Sequence, residues 1–181
     1  MQALINIDYT NDFVALDGKL TAGQPAIDLE DKILQINQQF VDSGDFIVMA
    51  VDRHELNDNY HPEMKLFPPH NLAETPGREL FGKLAGFYQE HQDAIYWMDK
   101  RHYSAFSGTD LDVRLRERGI TELTLVGVCT DICVLHTAVD AYNLGYQLTI
   151  VENAVASFNP VGHQWALDHF RNSLGAKVVK I

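Results

Sequence analysis

Leu123-Thr124-Leu125-Val126-Gly127-Val128-Cys129-Thr130-Asp131-Ile132-Cys133 is an apolar run that stops abruptly and gives way to a helical pattern. Leu123 to Val128 reads as a buried strand, because six residues with little polarity and two valines suit a sheet covered on both sides. Behind it Ile132, Leu135, Ala138, Val139 and Tyr142 recur at helical spacing. Thr130 is the expected N-cap, which sets the Cys133 thiol near unpaired backbone N–H groups and the positive end of a helix dipole. Such a position favours thiolate and makes Cys133 a candidate nucleophile. Taken alone, a buried and inert cysteine is the commoner explanation.

The same strand-to-helix unit repeats on either side. Ala3 to Ile7 is a short apolar strand ending in Asp8, and Ile27, Ile33, Leu34, Ile36, Phe40 and Val41 outline a helix that stops at Ser43-Gly44. Phe46 to Val51 is the second strand and ends in Asp52-Arg53-His54. From Asp52 to Arg78 no regular element is expected, and a loop that long inside a compact domain is usually functional or disordered. Its Tyr60, His61, Phe67 and His70 argue for order. Further on, Glu79 to Glu90 reads as a helix, Ala94 to Met98 as a strand, Asp110 to Arg118 as a helix closed by Gly119, Gln147 to Val151 as a strand, Val161 to Leu174 as a helix and Lys177 to Ile181 as a strand. Six strands alternating with helices imply an α/β fold of three layers, a parallel sheet covered on both faces with right-handed crossovers. Ligands of such sheets bind beyond the carboxyl ends of the strands, where the strand order switches. Asp8, Asp52, Lys100 and Cys133 all fall at that edge.

A length of 181 residues with 46% hydrophobic and 22% charged residues suits one domain with a substantial core, and no domain boundary is expected. The formal charge of -11 argues against nucleic acid and anionic membranes as partners and leaves a small neutral or cationic substrate compatible. No stretch approaches a membrane span, and the first residues lack the basic start of a signal peptide, so a cytoplasmic location is expected. The two cysteines are four apart without a second pair, which favours reduced thiols over a zinc or redox motif.

Two constellations carry chemistry. Asp8, Lys100 and Cys133 end three different strands and combine a base, a cation and a nucleophile, although His136, one turn beyond Cys133, also qualifies as a thiol partner. Asp52-x-His54 followed by Glu63 and His70 offers imidazole and carboxylate ligands of the kind that zinc, iron or manganese take. Spacing alone leaves His61 beside His70, and Glu55 and Asp58 beside Glu63, as candidates.

Ile7-Asp8 with Asp12-Phe13, Asp52-x-His54, Phe67-Pro68-Pro69-His70, Thr75-Pro76-Gly77, Lys100 and Gly127-Val128-Cys129-Thr130-Asp131-Ile132-Cys133-Val134 together resemble the isochorismatase-like cysteine hydrolases, and among them the nicotinamidases. The resemblance runs from the first strand to the last. It implies strand order 3-2-1-4-5-6, a catalytic triad of Asp8, Lys100 and Cys133, and one divalent metal, zinc, iron or manganese, on Asp52, His54, Glu63 and His70. It further implies a cis peptide between Val128 and Cys129, an oxyanion hole from the Cys129 and Cys133 amides, and a ring-stacking set of Phe13, Phe67 and Tyr103. Phe67 stands where many relatives carry tryptophan, which bears on ring affinity. The implied reaction is hydrolysis of nicotinamide to nicotinate and ammonia, a step of NAD salvage. Another small amide or carbamoyl compound is the alternative substrate, and a catalytically silent metal- or nucleotide-binding module the alternative class. Against the last, Asp8-Tyr9-Thr10-Asn11 stands where a glycine-rich phosphate loop would follow the first strand. The resemblance also admits a homo-oligomer, for which the chain itself offers no interface signal.

Overall fold

Alternation along the strands builds the two faces of one sheet. In a computed structural model describing residues 1–181, six parallel strands are ordered β3-β2-β1-β4-β5-β6. They are β1 (Ala3–Ile7), β2 (Phe46–Asp52), β3 (Ile95–Lys100), β4 (Glu122–Val128), β5 (Gln147–Ala156) and β6 (Lys177–Val179). Ile5, Ile7, Val48, Ala50, Leu123 and Leu125 face one core, while Leu4, Ile47, Met49, Val126 and Val128 face the other. Strand residues two apart share a face, so each strand serves both cores.

The helices divide accordingly. On the second face lie α1 (Asn11–Val14), α2 (Gln24–Ile27), α3 (Glu30–Ser43) and α4 (Lys83–His91). On the first lie α5 (Leu111–Glu117), α6 (Leu135–Asn143) and α7 (Pro160–Asn172). Gly44 closes α3 in the left-handed region at φ 68°, where a side chain would be strained. Between Asn6 and Asn37 two amide hydrogen bonds of 2.9 and 2.7 Å satisfy both side chains inside the second core.

From β1 the chain proceeds outward through β2 to β3 and then crosses back to β4, so the switch in strand order falls between β1 and β4. Their backbones approach closely: a Cβ on Gly127, at φ 112°, would stand 2.0 Å from the Ile7 carbonyl oxygen. Only glycine fits there.

Several boundaries differ from the sequence reading. Ile27, read with the helix that runs through Val41, belongs instead to the separate α2, and α7 ends at Asn172 rather than Leu174. The helix expected from Glu79 begins at Lys83, because residues 79–81 are held as an extended segment. The Asn11 N–H donates to the Glu79 carbonyl at 2.9 Å and the Phe81 N–H to the Tyr9 carbonyl at 3.0 Å. β3 continues past Met98 to include Lys100. β5 continues past Val151 to Ala156 through an irregularity in its pairing with β4 between Leu125 and Gly127. β6 ends at Val179, and Ile181 bonds through its backbone to the Asn153 side chain instead. The segment from 53 to 78 is ordered with little regular structure, two 3-10 turns at Pro62–Lys65 and Pro76–Arg78 and a single bridge between His54 and Leu72.

Candidate active site

At the carboxyl edge of β1 the backbone turns sharply, with Asp8 at φ 53°, in the left-handed region that aspartate tolerates better than most residues other than glycine. That turn aims the Asp8 carboxylate across the sheet, where Oδ1 accepts from the Asp52 N–H at 2.8 Å. The last residue of β3, Lys100, is fully buried and points to the same place. Its Nζ lies 2.7 Å from Asp8 Oδ2, 3.3 Å from Asp52 Oδ1, 3.2 Å from the His102 carbonyl oxygen and 3.8 Å from Cys133 Sγ. One ammonium thus touches every charged partner at the centre.

The electrostatics follow from burial and from this ammonium. Burial pushes the Asp8 carboxyl up to about 6 against the pull of Lys100. At Asp52 burial acts the same way, but Lys100 and the neighbouring imidazoles prevail and hold its carboxyl well below the usual range. Burial alone would lower Lys100, yet Asp52 and Asp8 raise it well above its ordinary value. Burial pushes the Cys133 thiol well up, and Lys100 only partly offsets this. The resting sulfur therefore carries its proton, beside a carboxylate able to take it.

The surroundings of Cys133 depart from the sequence reading in two respects: the thiol expected to favour thiolate is held protonated by burial, and the capping residue is a different one. Thr130 is not the N-cap: Cys129 occupies that position, and the first turn, Thr130–Val134, is a π-helix leading into α6. The Thr130 hydroxyl is engaged elsewhere, 2.8 Å from His163 Nδ1, so it is unavailable to cap. The Val128-Cys129 peptide is cis. The Cys129 amide donates to no backbone carbonyl. His136 turns outward and its Nδ1 lies 2.7 Å from the Ile132 carbonyl oxygen, away from Cys133. Both cysteines are free thiols.

Asp52, His54, Glu63 and His70 come together with their donor atoms all within 4.8 Å of one another, and all four residues are buried. Local contacts explain which candidates join. His61 has both nitrogens occupied, Nε2 by the Arg101 carbonyl and Nδ1 by the Glu63 N–H. Glu55 is exposed and pairs with Arg53, and Asp58 pairs with Arg101. For His70, Nδ1 lies 2.8 Å from the Pro68 carbonyl, and Nε2 faces the cluster without a hydrogen-bond partner, 3.7 Å from Asp52 Oδ2 and 3.6 Å from Glu63 Oε2. A buried, unpartnered imidazole nitrogen among two carboxylates and a second imidazole fits a divalent cation of the zinc, iron or manganese type.

A small, narrow cavity adjoins this cluster. Phe13, Phe67 and Tyr103 line it, with Cys129 and Cys133 on the α6 side and Glu63 as the one charged residue. Phe13 and Phe67 also contact the His70 ring edge to face, with centroids 5.2 and 6.2 Å apart. Leu20, Ile132 and Phe158 complete the lining. Sequence reasoning missed Leu20 and Phe158, which sit in loops where no periodicity marks them.

The sequence matches the isochorismatase domain over residues 2–181. The nicotinamidase/pyrazinamidase PncA of Bacillus subtilis is 57% identical, with a TM-score of 0.97 over 99% of this chain and 100% of its own. The pyrazinamidase/nicotinamidase of Streptococcus mutans is 58% identical, with a TM-score of 0.97 over the same shares of the two chains. At 28% identity the pyrazinamidase of Pyrococcus horikoshii, solved in complex with zinc, has a TM-score of 0.88 over 99% of each chain. Matched in this way from end to end, the chain belongs to the isochorismatase family of hydrolases.

Proposed function

We propose that this enzyme is a metal-dependent cysteine amidohydrolase that converts nicotinamide to nicotinate and ammonia, feeding NAD salvage. The observation that carries the reading is the position of Lys100 Nζ, in contact with Asp8, Asp52 and Cys133 at once, which joins a cysteine-centred site to a metal-ligand cluster. The similarity to nicotinamidase/pyrazinamidase structures supports the substrate class.

In this reading the aromatic ring lies among Phe13, Phe67 and Tyr103, with its carboxamide over Cys133. A divalent cation on Asp52, His54, Glu63 and His70 would supply a Lewis-acidic anchor for the ring nitrogen. Asp8 accepts the thiol proton as Sγ attacks the amide carbon, and the C=O π pair moves onto oxygen, where the Cys129 and Cys133 amides stabilise it. When the C–N bond breaks, Asp8 returns the proton to the departing nitrogen, releasing ammonia and leaving a thioester. Water, deprotonated by Asp8, adds to the thioester; the C–S bond then breaks, nicotinate leaves and the sulfur recovers its proton. Lys100 stabilises the negative charge that shuttles between sulfur and Asp8. A carboxyl at about 6 suits both directions of transfer near neutral pH.

An ammonia-release assay on the zinc-loaded enzyme tests the reading: turnover of nicotinamide is expected, and turnover of other small amides without nicotinamide would overturn it. The metal half has its own test. His54→Ala is expected to weaken zinc binding by at least about 100-fold and to raise the KM for nicotinamide steeply, checked by chelator competition and steady-state kinetics. An unchanged KM would remove the cation from substrate binding.

A further inference from the structure

We infer that Thr10 and Asn71 form a clasp that sets His54 and His70 in register with the loop carrying Asp8, making both of them positioning residues for the metal cluster. The inference rests on the metal reading above.

Thr10 stands directly before α1, at the N-cap position, yet its hydroxyl makes no capping hydrogen bond. Threonine at that position ordinarily bonds the first turn of its own helix. Here Oγ1–H donates instead to Asn71 Oδ1 at 2.9 Å, across 61 residues of sequence. Both residues are fully buried. Nδ2 of Asn71 has no partner, so the Thr10 hydroxyl is the only polar contact of that amide. A buried amide kept for one long-range hydrogen bond, at the expense of an orphaned donor, points to a positional role more than to bulk stability.

The backbone of Asn71 shows what is being positioned. Its φ is 43°, in the left-handed region that asparagine tolerates better than most residues. In that conformation its N–H donates to Asp12 Oδ2 at 2.8 Å, and its carbonyl accepts from the His54 N–H at 3.1 Å. His70 is the preceding residue. A single residue thus adjoins one imidazole through the chain and holds the other through a backbone hydrogen bond. Its remaining bonds, to Thr10 and Asp12, anchor it to the segment that follows β1. Asp12 is fixed in turn: a Cβ on Gly77 would fall 2.2 Å from its Oδ2, so the Pro76–Arg78 turn packs directly on the carboxylate. Asp8 and Phe13 flank the same segment. The clasp therefore ties the two imidazoles of the cation cluster to the segment that follows Asp8 and holds them in place for the cation. Outer-shell partners of this kind typically alter metal affinity by about 10–100-fold.

The test uses the full-length protein stripped of metal and titrated with zinc against a chromophoric chelator, followed by nicotinamide kinetics of the reloaded enzyme. Thr10→Val removes the hydroxyl at nearly constant volume, and Asn71→Gly removes the amide while permitting the positive φ. Each is expected to lower zinc affinity about tenfold or more and to raise KM with kcat within about threefold of wild type. Thr10→Ser, which keeps the donor, is expected to restore both within about twofold. His54→Ala run alongside separates the two levels of inference. If it loses zinc while Thr10→Val and Asn71→Gly bind as wild type does, or if Thr10→Ser is as impaired as Thr10→Val, the clasp is refuted. Normal zinc binding by His54→Ala would refute the metal reading and the clasp with it.

Discussion

Replacing Cys133 with alanine is expected to lower kcat for nicotinamide by at least about 10⁴-fold, with zinc affinity unchanged within about twofold. The size of the effect follows from what else lines the cavity. Leu20, Ile132, Phe13, Phe67 and Phe158 carry no nucleophile, and Glu63 belongs to the cation cluster. Cys129 is the only other thiol, and burial together with the nearby Asp131 charge pushes it up to about 12. It has no counterpart of the Lys100 contact that Cys133 makes at 3.8 Å. Cys133 is also raised by burial, but the Asp8 carboxylate stands ready to take its proton and the Lys100 ammonium offsets the charge that results. Cys129→Ala, which keeps the backbone amide, is expected to retain activity within about threefold. Ammonia release and chelator competition on both variants check this. Residual turnover above about 1% in Cys133→Ala would defeat the assignment, because loss of a covalent nucleophile leaves far less.

The sheet was legible in the sequence because each strand is a short apolar run, and topology then fixed which ends share an edge. The misread boundaries have a common cause. The third strand was read only as far as Met98, yet alternation carries it on, sending Asp99 outward to Arg53 and Arg78 while Lys100 turns into the protein. A lysine that ends a strand among carboxylates is paired rather than solvated, and only the partners reveal this. Residues 79–81 had helical spacing, but hydrogen bonds to Tyr9 and Asn11 outweigh local preference. For the candidate site, residue types at strand ends indicated Asp8, Lys100 and Cys133 as a group. The choice of His70 over His61 could not come from spacing, since it depends on contacts to Arg101 and Pro68 from distant or non-periodic segments. Thr10 and Asn71 carried no signal, because a threonine before a short helix reads as a cap.

Lys100→Met is expected to destabilise the metal-free protein by about 3–5 kcal/mol at neutral pH and to abolish turnover. Lys100 has no exposed surface, and Asp8 and Asp52 are each 1% exposed. The pair in isolation is weak grounds for stability, since burying three charges costs much of what their attraction returns. Removing one partner is different, because it strands two carboxylates without the ammonium that offsets their desolvation. Both carboxyls then shift upward. A carboxyl whose folded pKa lies above its unfolded value binds more protons in the folded state, so stability falls as pH rises through that interval. The deficit against wild type should accordingly narrow on acidification toward about pH 4, where the unfolded chain also begins to protonate. Asp8→Asn combined with Lys100→Met removes one stranded charge and is expected to recover part of the stability with no activity. Urea unfolding in the presence of chelator, at neutral and acidic pH, measures each quantity. A loss below about 1 kcal/mol, in the range of an exposed ion pair, would mean that Lys100 is not the electrostatic centre of the site.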